Sequence, residues 1–280
     1  MIDAIKLTQK MINNIGKDTY ISNIPVYIPS KNRAGRVSTR EFVELLNYKI
    51  VIEPQDYKEY SKHHNKDKLL VMDKNDMGIA YVRNFIKLHS IEHNNKDQHY
   101  HWQLDDDMSA YKVRINNKNI KVGFYKLKNI VETVTFKYNN IALAGLTSSA
   151  YAFSKKYPLE INKFPYCNVL INNNTDIWWD HTIKYGDDWD YLLQLLHKGH
   201  CTLAFSHLLH ENKPMGNNKG GLDYIYAEDV IVKNMKTFIA KYPEYFDILH
   251  KPNTNKPYRL KHKKRFFKQF TQQPQAFYGN

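Results

Sequence analysis

Three consecutive aspartates are the residues of this sequence best suited to chemistry. Asp105, Asp106 and Asp107 follow directly on the apolar and aromatic run HWQL. Adjacent carboxylates repel one another, so their charge needs a compensating cation or strong hydrogen bonds. Carboxylates clustered at the end of a strand are typical ligands of Mg²⁺ or Mn²⁺, which is then shared with substrate phosphates.

Two kinds of chemistry fit such a cluster, beside a structural role. Asp105 and Asp107 could hold a metal ion on a diphosphate leaving group. The same acids could instead belong to a hydrolytic or nuclease centre. In the structural interpretation they form an acidic loop that caps a nearby helix. The position of the aspartates in the fold distinguishes these interpretations.

The elements before the aspartates predict a parallel sheet. Four runs typical of strands precede or contain the cluster: 21–30, 49–54, 68–73 and 99–107. Three segments of helical periodicity separate them: 38–48, 56–64 and 77–93. Strands that alternate with helices favour a doubly wound sheet, which binds ligands at the carboxyl ends of its strands. The aspartates are therefore expected in a cleft that four loops line.

The second half of the chain has a different pattern. Residues 119–127 and 129–138 predict paired strands, and further strands are predicted at 166–173 and 200–210. Helices are predicted at 186–199 and 223–246. The predicted fold class is α/β: a Rossmann-like, mostly parallel sheet flanked by helices, with a smaller mixed β region and a basic C-terminal tail. We expect one domain over 1–250, with halves at about 21–110 and 111–250, and a basic extension over 251–280.

The charge of the chain favours a polyanionic partner. The formal net charge is +13, and residues 256–270 hold seven Lys or Arg and no acid. Neutralised phosphates release counterions, and the aromatic rings among these cations offer stacking faces. A lysine-rich surface that only keeps the protein soluble, and an amphipathic helix packed on the core, are the alternatives. The residues predicted to contact nucleic acid are Arg259, Lys261, Lys263, Lys264, Arg265 and Lys268.

The compartment is expected to be the cytoplasm. No window reaches 18 consecutive apolar residues, and the first ten residues lack the apolar stretch of a signal peptide. The two cysteines, Cys167 and Cys201, have no metal-ligand spacing around them and are predicted to be reduced thiols.

Four motifs taken together carry a resemblance to a known family. The series IPSKNRAG, VIEPQDYKEY, NDMGIAYVRN and HWQLDDDMS resembles the nucleotide-sugar glycosyltransferases of the GT-A fold. More narrowly, it is similar to the phage glycosyltransferases associated with TET/JBP-type base modification, which act on 5-hydroxymethylated pyrimidines in DNA. The resemblance is strongest over 21–110, with weaker support over 186–210. It implies a UDP-sugar donor, Mn²⁺ or Mg²⁺, and double-stranded DNA that carries a 5-hydroxymethylated pyrimidine, foremost 5-hydroxymethylcytosine.

The resemblance also implies roles for particular residues. Glu53 would reach the base or ribose, Asp107 and Asp105 would serve the metal, and a later histidine, His207 or His210, would add a ligand. The residues expected at the nucleotide sugar are Pro29, Ser30, Asn32, Arg33, Glu53, Arg83, Asn84, Asp105 and Asp106.

The general base is expected at the start of the helix over 186–199. By the same resemblance Asp188, with Asp187 as the alternative, would deprotonate the acceptor hydroxyl. Capping and dipole stabilisation of this helix would explain both acids equally well, and the two roles are compatible. Nearby aromatic and histidine side chains are assigned to the interior: Trp178 and Trp179 to the core, and His99 and His101 to buried hydrogen bonding.

Three other functions remain open at the level of sequence. The same donor chemistry could serve a protein or glycan acceptor, although a saccharide gives no reason for the basic segment. A catalytically silent nucleic-acid-binding module would leave the aspartates and Arg83 unexplained. A metal-dependent nuclease fits the four-loop series less well than a nucleotide cleft does.

Overall fold

A computed structural model of the chain describes residues 2–16, 21–93, 99–165, 167–212, 220, 228–252, 257–263 and 266–277. The helices in these ranges are α1 Ile2–Asn13, α2 Tyr57–His63, α3 Ile79–His93, α4 Phe124–Thr135, α5 Asp187–His197 and α6 Glu228–Lys241. The strands are β1 Val26–Pro29, β2 Tyr48–Ile52, β3 Leu69–Val71, β4 Tyr100–Leu104, β5 Met108–Ile115, β6 Lys118–Lys121, β7 Ile141–Ser148, β8 Glu160–Ile161, β9 Asn168–Asn172, β10 Cys201–Asn212, β11 Phe246–His250 and β12 Tyr258–His262.

The described strands form a large mixed sheet. Nine of them follow the order β3-β2-β1-β4-β9-β7-β10-β5-β6, and β8 pairs with β10. The first four strands are parallel, as predicted. The expectation of a mostly parallel sheet is wrong for the remainder, because β9, β5 and β6 pair antiparallel with their neighbours. The α/β class is confirmed, with helices packed on a central sheet.

Two predicted elements differ in the structure. The helix expected over 38–48 is only a 3₁₀ turn, Ser38–Phe42. The hydroxyls of Ser38 and Thr39 donate to the main-chain oxygens of Met108 and Asp105, and such side-chain bonds compete with helix formation. The strand expected over 129–138 is part of helix α4, whose Leu127, Val131 and Val134 are buried at helical spacing.

The predicted helix over 223–246 is shorter, and the chain after it returns as a hairpin. Helix α6 ends at Lys241, before Pro243, and Phe246 begins β11. Strands β11 and β12 pair antiparallel. Phe266, which follows β12, is buried in one apolar cluster with Phe238 of α6 and Phe246 of β11. The described residues after 251 thus pack on the fold, while the division at 250 stays a prediction. No helix among the described residues is long and apolar enough to cross a membrane.

The sheet must curl around the triple aspartate. Strands β9, β7 and β10 lie between β4 and β5. Neighbouring strands are about 4.8 Å apart, so four steps across a flat sheet would cover about 19 Å. Four residue steps lead from Leu104 to Met108, and a chain of that length spans at most about 14 Å. The residues Asp105–Asp107 therefore bridge a curved sheet from one half of the fold to the other.

A buried ion pair supports the strand that leads to the aspartates. Glu132 accepts hydrogen bonds from Trp102 Nε1 at 2.8 Å and pairs with Lys128 at 2.7 Å. We expect Glu132→Leu to lower the free energy of unfolding by about 3–5 kcal/mol, because it leaves the Lys128 charge uncompensated. Urea denaturation measures this loss. The double replacement Lys128→Met/Glu132→Leu should restore most of it; equal stability of the single and double variants would contradict the explanation.

Candidate active site

The three aspartates point to three different partners. Asp105 hydrogen-bonds with the thiol of Cys167, and Asp106 accepts from Ser30 Oγ at 2.5 Å. Asp107 accepts from the amide of Asn212 at 3.1 Å. The main chain of the turn is held by Thr39, whose hydroxyl accepts from Met108 N at 3.0 Å. The mutual repulsion of the three carboxylates is thus offset by a separate neighbour for each.

Asp106 and Ser30 belong to the interior. Their side chains are buried, Arg33 binds the other Asp106 oxygen at 2.6 Å, and Tyr60 contacts Ser30 Oγ at 2.7 Å. Tyr60 also accepts from the Arg33 main-chain N–H. Both side chains position Arg33, and direct nucleotide contacts of Asp106 and Ser30 stay a prediction. Arg33 itself lies between Asp106 and Asp107, whose Oδ2 is 4.0 Å from its guanidinium.

The ends of β1 and β2 form the second corner of the cleft. Pro29 closes β1, and Asn32 follows in the left-handed backbone region with φ 55°. Both carboxylate oxygens of Glu53 are engaged, one by Lys31 at 2.9 Å and one by Gln55 at 2.6 Å. Glu53 is buried, so the proposed contact with a base or ribose would require it to exchange one of these partners.

A hydrogen-bonded chain joins Asp107 to a buried histidine. Asn212 donates to Asp107, and its amide oxygen lies 2.9 Å from His210 Nδ1. This contact places the proton on Nδ1 and leaves Nε2 with a lone pair. Within the described residues Nε2 is buried without a hydrogen-bond partner, and burial lowers the His210 pKa to about 4. A neutral imidazole with an unsatisfied Nε2 is suited to bind a metal ion.

His207 has a different neighbour from His210. It lies three residues before His210 on β10, where the pairing with β7 shifts in register between Phe205 and Leu209. Its Nε2 contacts the Lys155 main-chain oxygen at 3.3 Å. The hydrogen-bonded chain itself contains Asp107 and His210, and the expected metal contacts of His207 and Asp105 stay predictions.

Arg83 joins the aspartates to the start of helix α5. Its guanidinium contacts Asp188 Oδ1 at 3.1 Å and Asp187 Oδ2 at 3.4 Å. The Asp187 side chain is 14% exposed and that of Asp188 is 38% exposed, so Asp188 is the more accessible of the two. The helix begins after Gly186, whose φ of 82° favours glycine.

Two carboxyl groups around Arg83 have raised pKa values. Burial raises the pKa of Asp187 to about 7, and the neighbouring Asp188 adds to the effect while Arg83 opposes it. Burial also raises the pKa of Asp105 to about 7, again against the influence of Arg83. Such shifts of carboxyl groups in a cleft are typical of sites that handle protons.

A buried polar network orients Arg83 from behind. His101 Nδ1 lies 2.7 Å from Asn173 Oδ1, which places the ring proton there, and Gln103 Nε2 donates to His101 Nε2 at 3.0 Å. The same Gln103 nitrogen donates to the main-chain oxygen of Arg83 at 3.3 Å, and its Oε1 accepts from the guanidinium at 3.4 Å. The buried hydrogen bonding expected for His101 is confirmed, whereas the same expectation for His99 is wrong because His99 is exposed directly before β4.

Replacing Gln103 should loosen this arrangement. Gln103→Leu leaves His101 Nε2 unpaired, at about 1–3 kcal/mol for a buried group, and removes both amide contacts with Arg83. We expect a corresponding loss in urea denaturation, and a fall in glycosyl transfer of up to about 100-fold because Arg83 is displaced. Gln9→Leu on α1 removes an exposed side-chain bond and serves as the control. Unchanged stability of Gln103→Leu would contradict the network.

Asn84 has a structural contact in place of the expected nucleotide contact. Its amide donates to Trp179 O and accepts from Trp179 N, both at 2.9 Å. Trp179 is buried and stacked on Tyr191, which confirms its place in the core, whereas Trp178 is 38% exposed. Asn84 thus fastens the segment before α5 to helix α3, beside Arg83.

The predicted nucleic-acid contacts lie on the C-terminal hairpin and the turn after it. Arg259 and Lys261 are exposed on β12, and Lys268 is exposed beyond it. Lys263 is half-buried and donates to the Pro243 main-chain oxygen at 2.7 Å. Lys264 and Arg265 lie outside the described residues.

Several residues of the cleft carry no sequence signal. The partners Asn212 and Cys167 come from segments far from the aspartates, and no local motif distinguishes them; Tyr60 and Gln103 lie within the quoted motifs VIEPQDYKEY and HWQLDDDMS, but nothing in these motifs indicates their contacts. Thr39 is the exception, because a Ser-Thr pair directly after the basic loop over 31–37 is a common source of side-chain bonds to a neighbouring backbone.

The donor set of the site fits a hard divalent cation with few protein ligands. Among the described residues no group of three or more His, Cys, Asp or Glu side chains is arranged to hold a metal ion. Asp107 and the unsatisfied Nε2 of His210 nevertheless share one hydrogen-bonded chain. Mg²⁺-type ions often take only one or two protein ligands and complete their shell with substrate phosphates and water.

The fold and the cleft together define an α/β enzyme with charged groups at the carboxyl ends of parallel strands. A comparison with known protein families identifies the class of enzyme. The model of the family named TAGT, TET-Associated Glycosyltransferase, matches residues 24–221 of the 280. The chain belongs to this family and is a glycosyltransferase.

Other known proteins are more distant. No curated protein sequence matches the chain significantly. The solved structures similar to it include GalNAc-T7 with UDP, GalNAc and Mn²⁺, at 11% identity and a TM-score of 0.40. That alignment covers 81% of this chain and 51% of the other, so the chain spans about half the length of that structure.

Proposed function

We propose that the protein transfers a sugar from a UDP-sugar to the hydroxymethyl group of 5-hydroxymethylcytosine in DNA, with Mn²⁺ or Mg²⁺. One observation carries the proposal. The Asp107–Asn212–His210 chain and the Arg83–Asp187–Asp188 cluster lie at the same edge of the sheet, joined by the turn that contains Asp105. The Asp107–Asn212–His210 chain suits a metal-bound diphosphate, and the Arg83–Asp187–Asp188 cluster suits a proton transfer.

The donor would lie over the ends of β1, β2 and β4. Arg33 and Lys31 supply positive charge beside the turn, and Asn32 and Pro29 shape the main chain there. Asp107 and His210 would hold the metal ion, which when bound offsets the charge that develops on the leaving diphosphate. Guanidinium groups suit two-point contacts with phosphate oxygens, so Arg33 is placed to bind the same group.

Asp188 would act as the general base. It accepts the proton of the acceptor hydroxyl while that oxygen forms a bond to C1 of the sugar. The bond between C1 and the diphosphate oxygen breaks in the same step, and UDP leaves with the bonding electron pair. Arg83 holds Asp188 and Asp187 beside each other, and the raised pKa of Asp187 keeps part of the pair protonated near neutral pH.

The acceptor is proposed from the family name and the charge of the chain. The family is TET-associated by its name, and the motifs of the chain resemble those of glycosyltransferases that act on 5-hydroxymethylated pyrimidines in DNA. A net charge of +13 suits a DNA partner because DNA is a polyanion. A protein or glycan acceptor would use the same donor cleft and gives no reason for this charge.

The decisive experiment supplies both substrates. The protein is incubated with Mn²⁺, a panel of UDP-sugars and duplex DNA with either cytosine or 5-hydroxymethylcytosine, and the digested nucleosides are analysed by mass spectrometry. We expect a hexose or pentose adduct on 5-hydroxymethylcytosine only. UDP-sugar consumption without any nucleoside adduct would overturn the DNA acceptor and leave the glycosyltransferase class intact.

A further inference from the structure

A basic pocket lies beside helix α5, outside the cleft. It has a volume of about 490 Å³ and combines a loop of the core with the C-terminal hairpin. Lys163 comes from the loop after β8, while Lys261 and Lys268 come from β12 and the turn after it. Phe266 and Phe267 form its apolar lining.

The charge of this pocket is poorly compensated within the protein. Asp247 is the one acid among the described residues that line it, and it lies 3.6 Å from Lys263. Lys163 Nζ lies over the ring of Phe267 at 4.1 Å, and burial lowers its pKa. Within the described part of the chain, Lys261 and Lys268 have no ion pair or hydrogen bond of their side chains. Cations gathered around aromatic rings are typical of nucleic-acid grooves.

The pocket adjoins the cleft through two connections. Phe164, next to Lys163, stacks on Trp189 at 4.3 Å, and Trp189 follows Asp188 in α5. Cys167, four residues after Lys163, accepts a main-chain hydrogen bond from Asp105 at 3.1 Å. Four residues span at most about 14 Å, which equals the rise of about four nucleotides of a DNA strand at 3.4 Å each.

We propose that this pocket binds the phosphate backbone of the acceptor DNA, within about four nucleotides of the modified base. The identification of this DNA as the acceptor rests on the proposed function. The proposal adds Lys163, from the loop after β8, to the DNA-binding surface. It also places the contact with the DNA strand at the pocket and not along the whole basic segment. Lys163, Lys261 and Lys268 would contact phosphate oxygens, and Phe267 would offer a ring face to a neighbouring base.

The test measures how duplex binding depends on salt. The probe is duplex DNA without any hydroxymethyl group, so that binding is separated from transfer. Each phosphate contact contributes about 0.9 to the slope of log affinity against log salt concentration. Lys261→Gln/Lys268→Gln should therefore reduce the slope by about 1.8, and Lys163→Gln by about 0.9. The matched control is Lys118→Gln/Lys121→Gln, two exposed lysines on β6.

The outcomes separate this proposal from the proposed function. Unchanged slopes in the pocket variants, or an equal reduction in the β6 control, would overturn the pocket as the backbone site even if transfer to DNA occurs. Inorganic pyrophosphate that binds the pocket as tightly as the duplex does would overturn it in favour of a free-phosphate site. Reduced slopes in a protein that transfers no sugar to hydroxymethylated DNA would support the pocket and contradict the acceptor.

Discussion

Asp188→Asn is expected to lower glycosyl transfer by about 100- to 10,000-fold, the range for loss of a general base. Asn keeps the size of the side chain and a hydrogen-bond acceptor for Arg83, so the fold should persist. Single-turnover transfer at saturating UDP-sugar measures the chemical step. Asp176→Asn, an exposed acid in the segment before α5, is the control and should behave as the parent protein. Full activity of Asp188→Asn would exclude its role as the base.

The pH dependence distinguishes the two acids at the start of α5. The pKa of Asp187 is raised to about 7, so below pH 7 Asp187 gains a proton and its ion pair with Arg83, which also holds Asp188, is weakened. The value of kcat/KM should therefore rise with pH and level off above 7. In Asp187→Asn this acid limb should be lost, because the group that titrates near 7 has been removed. An unchanged profile would show that the pair is not coupled in the reaction.

Asp107→Asn is expected to reduce transfer by about 100- to 1,000-fold, the range for loss of a group that stabilises developing charge. Asn can still contact Asn212, so the lost property is the negative charge. Mn²⁺ binding measured by calorimetry in the presence of UDP gives a readout that does not require transfer, and it should weaken in the same variant. His210→Ala should weaken it as well, since it removes the unsatisfied Nε2.

His207→Ala is the matched control for the metal site. It removes a histidine three residues away on the same strand, whose ring contacts the Lys155 main-chain oxygen. Its Mn²⁺ affinity and transfer rate should equal those of the parent protein. Equal losses in His207→Ala and His210→Ala would mean that the strand was disturbed and that neither imidazole is a ligand.

The parallel half of the fold could be predicted because its signals are local. Apolar runs of strand length alternate with helical periodicity from β1 to β4, and the rule for carboxyl ends of parallel strands then placed Asp105 in a cleft. Helix α4 was misassigned because Ile130, Val131 and Val134 are β-branched, while their spacing fits a helix equally well. Only the packing of these side chains against the sheet distinguishes a helix from a strand in this segment.

The division of labour among the aspartates could not be predicted. Asp105, Asp106 and Asp107 are chemically identical, and their roles are set by Cys167, Ser30 and Asn212, which are brought to them by three separate strands. The choice between His207 and His210 likewise depends on which face of β10 meets the turn. Local sequence carries neither the order of β9, β10 and β5 in the sheet nor these pairings.

The curl of the sheet gives the triple aspartate a mechanical role. The sheet curves through an arc of five strands, β4, β9, β7, β10 and β5. The turn Asp105–Asp107 connects the first strand of this arc directly to the last. A ligand bound at this turn would contact both halves of the fold, Arg33 of the first and Asn212 of the second. Because such a ligand would bind only the folded chain, it would stabilise the whole arc against unfolding. Under the proposed function, donor binding and the stability of the fold are therefore expected to be coupled at these three residues.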